Sequence, residues 1–316
     1  MFQSNICQLL NIKYPILQGG MAWVANHSLA SAVSNAGGLG IIAAANAPVE
    51  VVREEIRKTK EKTDRSFGVN VMLLSENADE VAHLVCEEGI KIITTGAGNP
   101  GKYMELWKAH GITVIPVVPS VALAKRMERY GADALIVEGN EAGGHIGELT
   151  TMALVPQVAD AVSIPIIAAG GIGDGRGMAA TFMLGASGIQ MGTRFLVAKE
   201  CAIHLKYKEK VLRAKDIDTV VTGRPTGHPV RILKNPLSRK LLNMEKNQEP
   251  ASAFEELGKG ALRRAVMEGD MDNGSIMAGQ IAGLIKKEQT CEEIIEEIMK
   301  EMKIIMQEGW QRWQGK

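Results

Sequence analysis

The stretch from residue 168 to residue 195 decides the fold, and it reads AAGGIGDGRGMAATFMLGASGIQMGTRF. An apolar run leads into Gly170-Gly171, a helical segment follows, and a second apolar run ends at Gly192-Thr193. Glycines let backbone N–H groups approach an anion because no Cβ stands in the way, and a helix N-terminus attracts negative charge. Barrels of eight β/α units commonly bind phosphate between the loops after strands seven and eight. The stretch therefore predicts two phosphate-binding βα turns near the end of such a barrel, although tight turns alone would also use these glycines.

Eight apolar runs of this kind alternate with helical segments along the chain. They are continuous and aliphatic, which is typical of a parallel sheet that helices cover. The runs span 15–20, 39–44, 67–73, 91–96, 113–118, 134–139, 165–171 and 188–195. Eight such units predict an α/β fold, the TIM (β/α)8 barrel. An open doubly wound sheet is the alternative, but the Gly-x-Gly-x-x-Gly pattern that usually follows its first strand is absent here.

The pattern changes after residue 198. Residues 199–250 are charged, polar and rich in turns, and they are too few for a core of their own. We expect them to form a small cap on a barrel that comprises 1–198 together with about 251–316. The last helix should begin with a capping box at Thr290 and Glu293. Its apolar stripe, which we expect to be buried, consists of Ile294, Ile298, Met302 and Ile305.

The composition argues against several classes of function. Lys+Arg and Asp+Glu both number 36, and aromatic residues make up only 4%, so nothing favours nucleic acid or an anionic membrane. The four cysteines lie far apart without a Cys-x-x-Cys pair, which predicts reduced thiols and no metal site. No run reaches the roughly 18 apolar residues of a membrane span. We therefore expect a soluble, cytoplasmic protein.

Polar residues and glycine-rich loops follow the apolar runs, where a parallel barrel forms its active site. Gly20, Met21 and Ala22 follow the first run, and Asn46 follows the second. Asn70 is polar within the third run, so burial obliges it to find partners, which a ligand with donors and acceptors would supply. Glu138 ends the sixth run, where it can bind a cofactor or serve as a structural carboxylate.

His145 lies between Gly143-Gly144 and Gly147, after the sixth run. These glycines predict a flexible turn that can project the imidazole over a bound ring, and its near-neutral pKa suits proton transfer or hydrogen bonding. A lone histidine is often a surface or core residue instead. The residues alone leave both interpretations open.

Eight motifs follow one another along the chain: Gln18-Gly-Gly-Met-Ala-Trp23, Ala36-Gly-Gly-Leu-Gly40, Phe67-Gly-Val-Asn-Val71, Thr95-Gly-Ala-Gly-Asn-Pro100, Glu141-Ala-Gly-Gly-His145, Ala168-Ala-Gly-Gly-Ile172, Gln190-Met-Gly-Thr-Arg-Phe195 and Ser275-Ile-Met-Ala-Gly-Gln280. In this order they resemble the nitronate monooxygenase (2-nitropropane dioxygenase) superfamily. Within it, Gly19-Gly-Met-Ala-Trp23, Pro116-Val-Val-Pro-Ser120 and Met277-Ala-Gly-Gln280 resemble the flavin-dependent type II enoyl-acyl-carrier-protein reductases. The resemblance covers the chain from about residue 12 to residue 284.

The resemblance implies a TIM barrel that contains FMN. The flavin phosphate would bind Gly170, Gly171, Gly192 and Thr193, and His145 would be the catalytic histidine. The other cofactor-binding residues that it implies are Gly20, Met21, Ala22, Asn46, Asn70, Glu138, Ala169, Gln190, Met191, Met277, Gly279 and Gln280. NADH or NADPH would be the co-substrate. The family also has members that a monovalent cation assists, and the sequence names no ligands for one.

The implied reaction is the reduction of a trans-2-enoyl-acyl-carrier-protein, the last step of the fatty acid elongation cycle. Hydride would pass from NAD(P)H through FMN to the β-carbon, and a proton would be added at the α-carbon. His145 would donate a hydrogen bond to the thioester carbonyl or supply that proton. The alternative within the superfamily is a nitronate monooxygenase, which oxidises nitronates with O2. Two other classes are compatible with the phosphate-binding loops: a flavin-free phosphate-binding barrel, such as an isomerase, and a non-catalytic flavin-binding protein.

Basic residues are frequent in the expected cap. They occur between residues 199 and 215, and at Arg231, Lys234, Arg239 and Lys240. They form either a solvated charged face or a docking surface for an acidic acyl carrier protein. The resemblance also implies a homodimer.

Overall fold

Parallel strands form the centre of the molecule, whose computed structural model describes residues 4–45 and 47–313. The strands of the central sheet are β1 (Ile16–Gln18), β2 (Gly40–Ala43), β3 (Phe67–Met72), β4 (Ile92–Gly96), β5 (Thr113–Val118), β6 (Leu135–Glu138), β8 (Ile166–Ala169) and β9 (Gly188–Met191). A further strand, β7 (Gly144–His145), lies in the loop after β6 and belongs to a second sheet. Each of the eight apolar runs thus contains one strand of the central sheet.

The central sheet closes into a barrel. Its strands follow the order β1-β9-β8-β6-β5-β4-β3-β2, and Leu17 forms a parallel bridge with Leu39 across the two ends. The Gln18 N–H donates to the Leu39 carbonyl at 3.0 Å, and the Leu39 N–H donates to the Ile16 carbonyl at 2.9 Å. The predicted TIM barrel is confirmed. The last predicted run is shorter as a strand, because the chain turns at Gly192 into a short helix.

Helices cover the outside of the barrel, and several begin at side chains that cap their first N–H groups. Asn26, Ser120 and Asp174 accept such hydrogen bonds at the starts of α2, α6 and α8. The helices up to the end of the barrel are α1 (Asn5–Leu10), α2 (His27–Asn35), α3 (Val49–Lys62), α4 (Ala78–Glu87), α5 (Gly101–Ala109), α6 (Val121–Arg129), α7 (Thr151–Ala159), α8 (Gly175–Met183) and α9 (Thr193–Leu196).

Short helix α1 precedes β1 and helps to fill the barrel. Its Ile6 and Leu10 join the buried cluster that contains Leu17, Leu39 and Ile41 of the first strands. These side chains are at most 1% exposed, so the interior is packed rather than hollow. The site must therefore lie at an end of the barrel, among the loops.

The last helix, α14 (Cys291–Trp313), packs against α8. Its start carries the predicted capping box, because the Thr290 N–H donates to Glu293 and the Glu293 N–H donates to Thr290 Oγ1. Ile294, Ile298 and Met302 are buried as predicted, and Ile305 is half-buried. A Cβ on Gly175 would lie 2.5 Å from the Met302 nitrogen, so α8 and α14 approach closely only because this residue is glycine.

Between α9 and α14 the chain folds over one side of the barrel. The elements there are α10 (Leu205–Leu212), β10 (Thr219–Thr222), β11 (Val230–Leu233), α11 (Pro236–Lys246), α12 (Ala251–Gly258) and α13 (Ala261–Arg263). Strands β10, β11 and β7 form an antiparallel sheet. Leu237 and Met244 of α11 share a small apolar cluster with Phe254 and Ala261, so this packing crosses the boundary expected near residue 250. Among the described residues, no helix combines the length and the apolar character needed to span a bilayer.

Candidate active site

The loop after β1, strand β3 and the loop after β9 meet at the carboxyl end of the barrel strands. A Cβ on Gly20, after β1, would lie 2.2 Å from the Cβ of Asn70 on β3, so only glycine fits there. A Cβ on Gly192, after β9, would lie 3.3 Å from the Met21 sulfur. The Asn70 Oδ1 accepts a hydrogen bond from Thr94 Oγ1 at 2.9 Å. The structure thus brings together predicted site residues from the first, third and eighth runs and the loop after the first run.

The glycine pair after β8 adopts a backbone conformation that other residues rarely adopt. Gly170 has φ +86° and Gly171 has φ +71°. The hydroxyl of Thr151, at the start of α7, lies 2.9 Å from the Gly170 carbonyl oxygen and can donate to it. The Thr151 N–H in turn donates to the Glu141 carboxylate at 2.9 Å. Thr151 and Glu141 therefore hold this loop; Glu141 opens one of the eight motifs, but no role was predicted for either residue.

The helix after the glycine pair is less available to an anion than the sequence suggested. Asp174 caps α8, accepting hydrogen bonds from the N–H groups of Arg176 and Gly177. The Gly175 N–H donates to the Glu301 carboxylate of α14 at 2.7 Å. Because these donors are occupied, a phosphate would rely on the glycines and on Gly192-Thr193, where α9 begins without a capping side chain.

The segment from Met277 to Gln280 lies between the loops after β6 and β9. The Gly279 N–H donates to Thr193 Oγ1 at 2.8 Å, and the Gln280 N–H donates to the Glu141 carbonyl at 2.9 Å. The buried Tyr207 of α10 donates its hydroxyl to the Met277 carbonyl at 2.7 Å. Tyr207 was not predicted to be a site residue, because an isolated tyrosine in a charged helix belongs to no motif.

His145 is part of a paired strand, which corrects the expectation of a flexible turn. It forms β7 and pairs with Val230 of β11, and the neighbouring Ile146 N–H donates to the Pro229 carbonyl at 3.1 Å. Its exposed imidazole lies edge-on to the ring of His228, with 6.4 Å between the ring centroids. Although the residue reaches solvent, surrounding protein atoms displace much of the water around its ring; this loss of hydration lowers the pKa of His145, and the nearby His228 lowers it further. The side chain is thus open to solvent but held in place and biased towards the neutral imidazole.

Two predicted cofactor-binding residues turn their side chains away from the site, and a third cannot be placed. Ala169 packs in the barrel interior, and Met191 packs in the outer core, where each is at most 2% exposed. Any contact that they make with a cofactor would use the backbone. The side chain of Gln190 lies beside Gly19. Asn46 lies outside the described residues.

The basic residues expected in the cap do not form one surface. Arg231 is only 6% exposed, and Lys208 of α10 is equally buried against the Ala198 carbonyl and Glu288. Neither can meet a partner, because each is occupied inside the protein. Lys234, Arg239 and Lys240 are exposed. Arg239 and Lys240 border a shallow depression of about 830 Å³ together with Lys259 and Arg264.

Glu138 is the carboxylate most affected by its surroundings. Its side chain is half-buried at the end of β6, where loss of hydration raises its pKa to about 7, and within the described residues no hydrogen bond reaches its carboxylate. A desolvated carboxylate without a donor is unfavourable when ionised. It would accept hydrogen bonds from the hydroxyl groups of a ligand, and the residues at this end of the barrel therefore fit a phosphorylated ligand that carries hydroxyls.

The raised pKa of Glu138 predicts a pH-dependent stability of the flavin-free protein. The ordinary pKa of this group is 4.5, so below about pH 4.5 Glu138 is protonated in both states and costs no stability. As the pH rises from about 4.5 to about 7, the free energy of unfolding should fall, and above about pH 7 the loss should be complete. Because water reaches the half-buried side chain and offsets part of the penalty, replacement by glutamine should stabilise the flavin-free protein by about 1–3 kcal/mol at pH 8 and change little at pH 4.5. Urea unfolding across this range measures the difference. Glu105→Gln, at an exposed position of α5, is the control; a Glu138→Gln difference independent of pH would contradict the assignment.

Comparisons with known proteins agree with this geometry. The sequence model of the nitronate monooxygenase family matches residues 3–84 and 79–301. A Mycobacterium tuberculosis protein, (3aS,4S,5R,7aS)-5-hydroxy-7a-methyl-1-oxo-octahydro-1H-indene-4-carboxyl-CoA dehydrogenase, is 34% identical over 94% of this chain and 95% of its own. A probable nitronate monooxygenase of Staphylococcus saprophyticus is 33% identical, covering 96% of this chain and 98% of its own. The solved structure of FabK from Thermotoga maritima is 50% identical, with a TM-score of 0.95 and 98% of each chain covered.

Proposed function

Because the chain belongs to the nitronate monooxygenase family of oxidoreductases, which generally depend on FMN, we propose that it is an FMN-dependent enoyl-acyl-carrier-protein reductase that uses NADH or NADPH. The observation that carries the proposal is the likeness to FabK, an enoyl-acyl-carrier-protein reductase of type II, at 50% identity along nearly the whole chain. A cytoplasmic homodimer is part of the same proposal.

The cofactor would lie across the carboxyl end of the barrel. Gly170, Gly171, Gly192 and Thr193 would hold its phosphate through backbone N–H groups. Glu138 would accept hydrogen bonds from ligand hydroxyls, which matches its need for donors. The residues proposed to contact the rest of the cofactor are Gly20, Met21, Ala22, Asn46, Asn70, Gln190, Met277, Gly279 and Gln280. Bound FMN would supply the chemistry of hydride transfer from the nicotinamide to the β-carbon of the enoyl group.

His145 would act on the thioester. Its lowered pKa keeps the imidazole neutral near pH 7, where it has one N–H to donate. Negative charge gathers on the thioester carbonyl when hydride reaches the β-carbon, so a donor placed there stabilises the transition state. To supply instead the proton that the α-carbon takes up, the imidazole would first have to be protonated to imidazolium, which its lowered pKa makes the minor form near pH 7. In either role the pairing of β7 with β11 holds the side chain in position.

Two relatives support a thioester as the substrate class. The Mycobacterium tuberculosis protein is named as a dehydrogenase of a carboxyl-CoA, which is a thioester, and FabK reduces the enoyl thioester of a carrier protein. Both names therefore describe oxidoreductases whose substrate carries a thioester. The second candidate is nitronate oxidation with O2, which the names of the staphylococcal relatives favour.

An anaerobic assay of the purified, flavin-loaded protein separates these candidates. With NADH or NADPH and crotonyl thioester, we expect oxidation of one reduced nucleotide for each saturated thioester formed. With a nitronate in air, we expect oxygen uptake to be slow by comparison. Rapid oxygen uptake with the nitronate, together with no anaerobic reduction of the thioester, would contradict the reductase proposal and support the monooxygenase.

Arg239 and Lys240 on α11 are proposed to dock the acidic carrier protein. Reversing both charges to glutamate should raise the KM for carrier-linked substrate about tenfold at low salt, because two attractions become repulsions. The KM for the corresponding coenzyme A ester should stay within about twofold. Reversing the exposed Lys125 and Arg126 of α6 is the matched control. Equal effects on both substrates, or a KM that does not depend on salt, would contradict docking at this face.

A further inference from the structure

Arg231 of β11 is a buried guanidinium that hydrogen-bonds the backbone of the loop after β6. Its Nε and Nη2 donate to the Asn140 carbonyl at 3.0 and 2.9 Å, and its Nη1 donates to Thr219 Oγ1 at 3.2 Å. The side chain is 6% exposed, and no ion pair with a carboxylate forms among the residues that the structure describes. Burial lowers the pKa of Arg231, and the negative charge of Glu141 in the same loop offsets part of this effect without forming an ion pair. Burying a charge without an ion pair costs free energy, so stability alone is a poor reason for an arginine here.

The loop that Arg231 holds is the one that carries His145. Asn140 begins this loop, and at its other end Gly144 and His145 pair with Arg231 and Val230. The middle of the loop packs on the segment from Met277 to Gln280, since a Cβ on Gly143 would lie 2.6 Å from the Ala278 carbonyl carbon. Glycine-rich backbone is mobile unless it is held. Strand β11 therefore fastens both ends of a loop that its own glycines would leave free.

We propose that Arg231 is a positioning residue that keeps the His145 imidazole in one place at the mouth of the barrel. The two N–H groups of the guanidinium fork fix the Asn140 carbonyl, and this contact holds β7 in register with β11. Lysine cannot reproduce it, because an ammonium group is a point donor without a planar fork. The inference rests on the proposed function in that His145 acts on the substrate, but its structural part concerns the loop alone.

The kinetic test uses the flavin-loaded protein and three variants. Arg231→Met should lower kcat for crotonyl thioester about 10- to 100-fold, with an equal fall in kcat/KM, because a displaced catalytic group loses transition-state contacts. Flavin content and the rate of flavin reduction by NADH should stay within about twofold. Arg231→Lys should recover part of the loss. Thr219→Val, which removes only the third guanidinium contact, should behave like the unaltered protein.

The structural test needs no substrate. Hydrogen exchange of peptides covering 140–146 and 228–233 should become at least about tenfold faster in Arg231→Met, whereas peptides of β8 should not change. The pKa of His145, followed by NMR and assigned with His145→Asn, should rise towards its ordinary value as the loop gains hydration. If Arg231→Met does not fold, Arg231→Lys should show the same changes to a smaller extent.

Failure of this inference and failure of the proposed function are distinguishable. Unchanged exchange and an unchanged His145 pKa would overturn the positioning role, whatever the activity. An equal fall in both half-reactions would overturn it too, because it would indicate a general structural effect. No enoyl reduction by the unaltered protein would overturn the proposed function, and the exchange measurement would then decide the role of Arg231 by itself.

Discussion

A His145→Ala variant should retain its flavin and reduce an enoyl thioester about 10²- to 10³-fold more slowly than the unaltered protein. This is the loss expected when one preorganised donor to a developing oxyanion is removed. The side chain is exposed at the mouth of the barrel, so its removal leaves no buried cavity and should not unfold the protein. Steady-state rates with crotonyl thioester, together with the flavin content of each preparation, measure the effect.

Separate measurements of flavin reduction by NADH and of transfer to the thioester show which step carries that loss. Reduction of the flavin by NADH should be nearly unchanged in His145→Ala, while transfer to the thioester should carry the full effect. His145→Asn keeps an N–H donor and should recover part of the rate. His110→Ala, an exposed histidine that follows α5, is the control for the loss of an imidazole elsewhere. Near-normal turnover by flavin-loaded His145→Ala would show that this histidine is not catalytic.

Gly170→Ala should have the largest effect on flavin binding. The residue has φ +86°, and an added Cβ would lie 2.7 Å from the Gly139 carbonyl oxygen and 3.2 Å from Thr151 Oγ1. The left-handed backbone alone costs about 1–2 kcal/mol for a residue with a Cβ. The steric overlap with backbone adds about 1–3 kcal/mol, or else moves the loop. Because a moved loop no longer presents its N–H groups to the phosphate, we expect FMN affinity to fall at least about tenfold.

Gly111→Ala separates the conformational cost from the effect on the site. Gly111 also has a left-handed backbone, at φ +66°, but an added Cβ would meet nothing within 4 Å. It follows α5 and precedes β5, at the end of the barrel opposite the site. Its alanine variant should lose about 1–2 kcal/mol of stability and keep its FMN affinity. Urea unfolding of the flavin-free proteins and fluorescence titration with FMN measure both quantities; equal FMN affinities of the two variants would contradict the role of Gly170.

The barrel could be predicted from the sequence because its strands are signalled locally. Each apolar run is short, four of the eight end at a glycine, and each contains a strand of the central sheet. The meeting of Gly20 with Asn70 follows from that arrangement, since parallel strands bring their carboxyl ends to one edge. The flexible turn predicted at His145 was wrong because its partner, Val230, lies far along the chain and carries no signal of pairing.

By itself, the sequence determined the barrel, the glycine turns after β8 and β9, and the candidate histidine. These features depend on aliphatic runs and on glycine positions, which are properties of short segments. Only the tertiary structure decided how the site is held, through Arg231 on Asn140, Tyr207 on Met277 and Thr151 on Gly170. In each of these contacts a side chain donates to a backbone carbonyl, at positions distant in the chain. Every residue has such a carbonyl, so no pattern of side chains marks the one that will be bound.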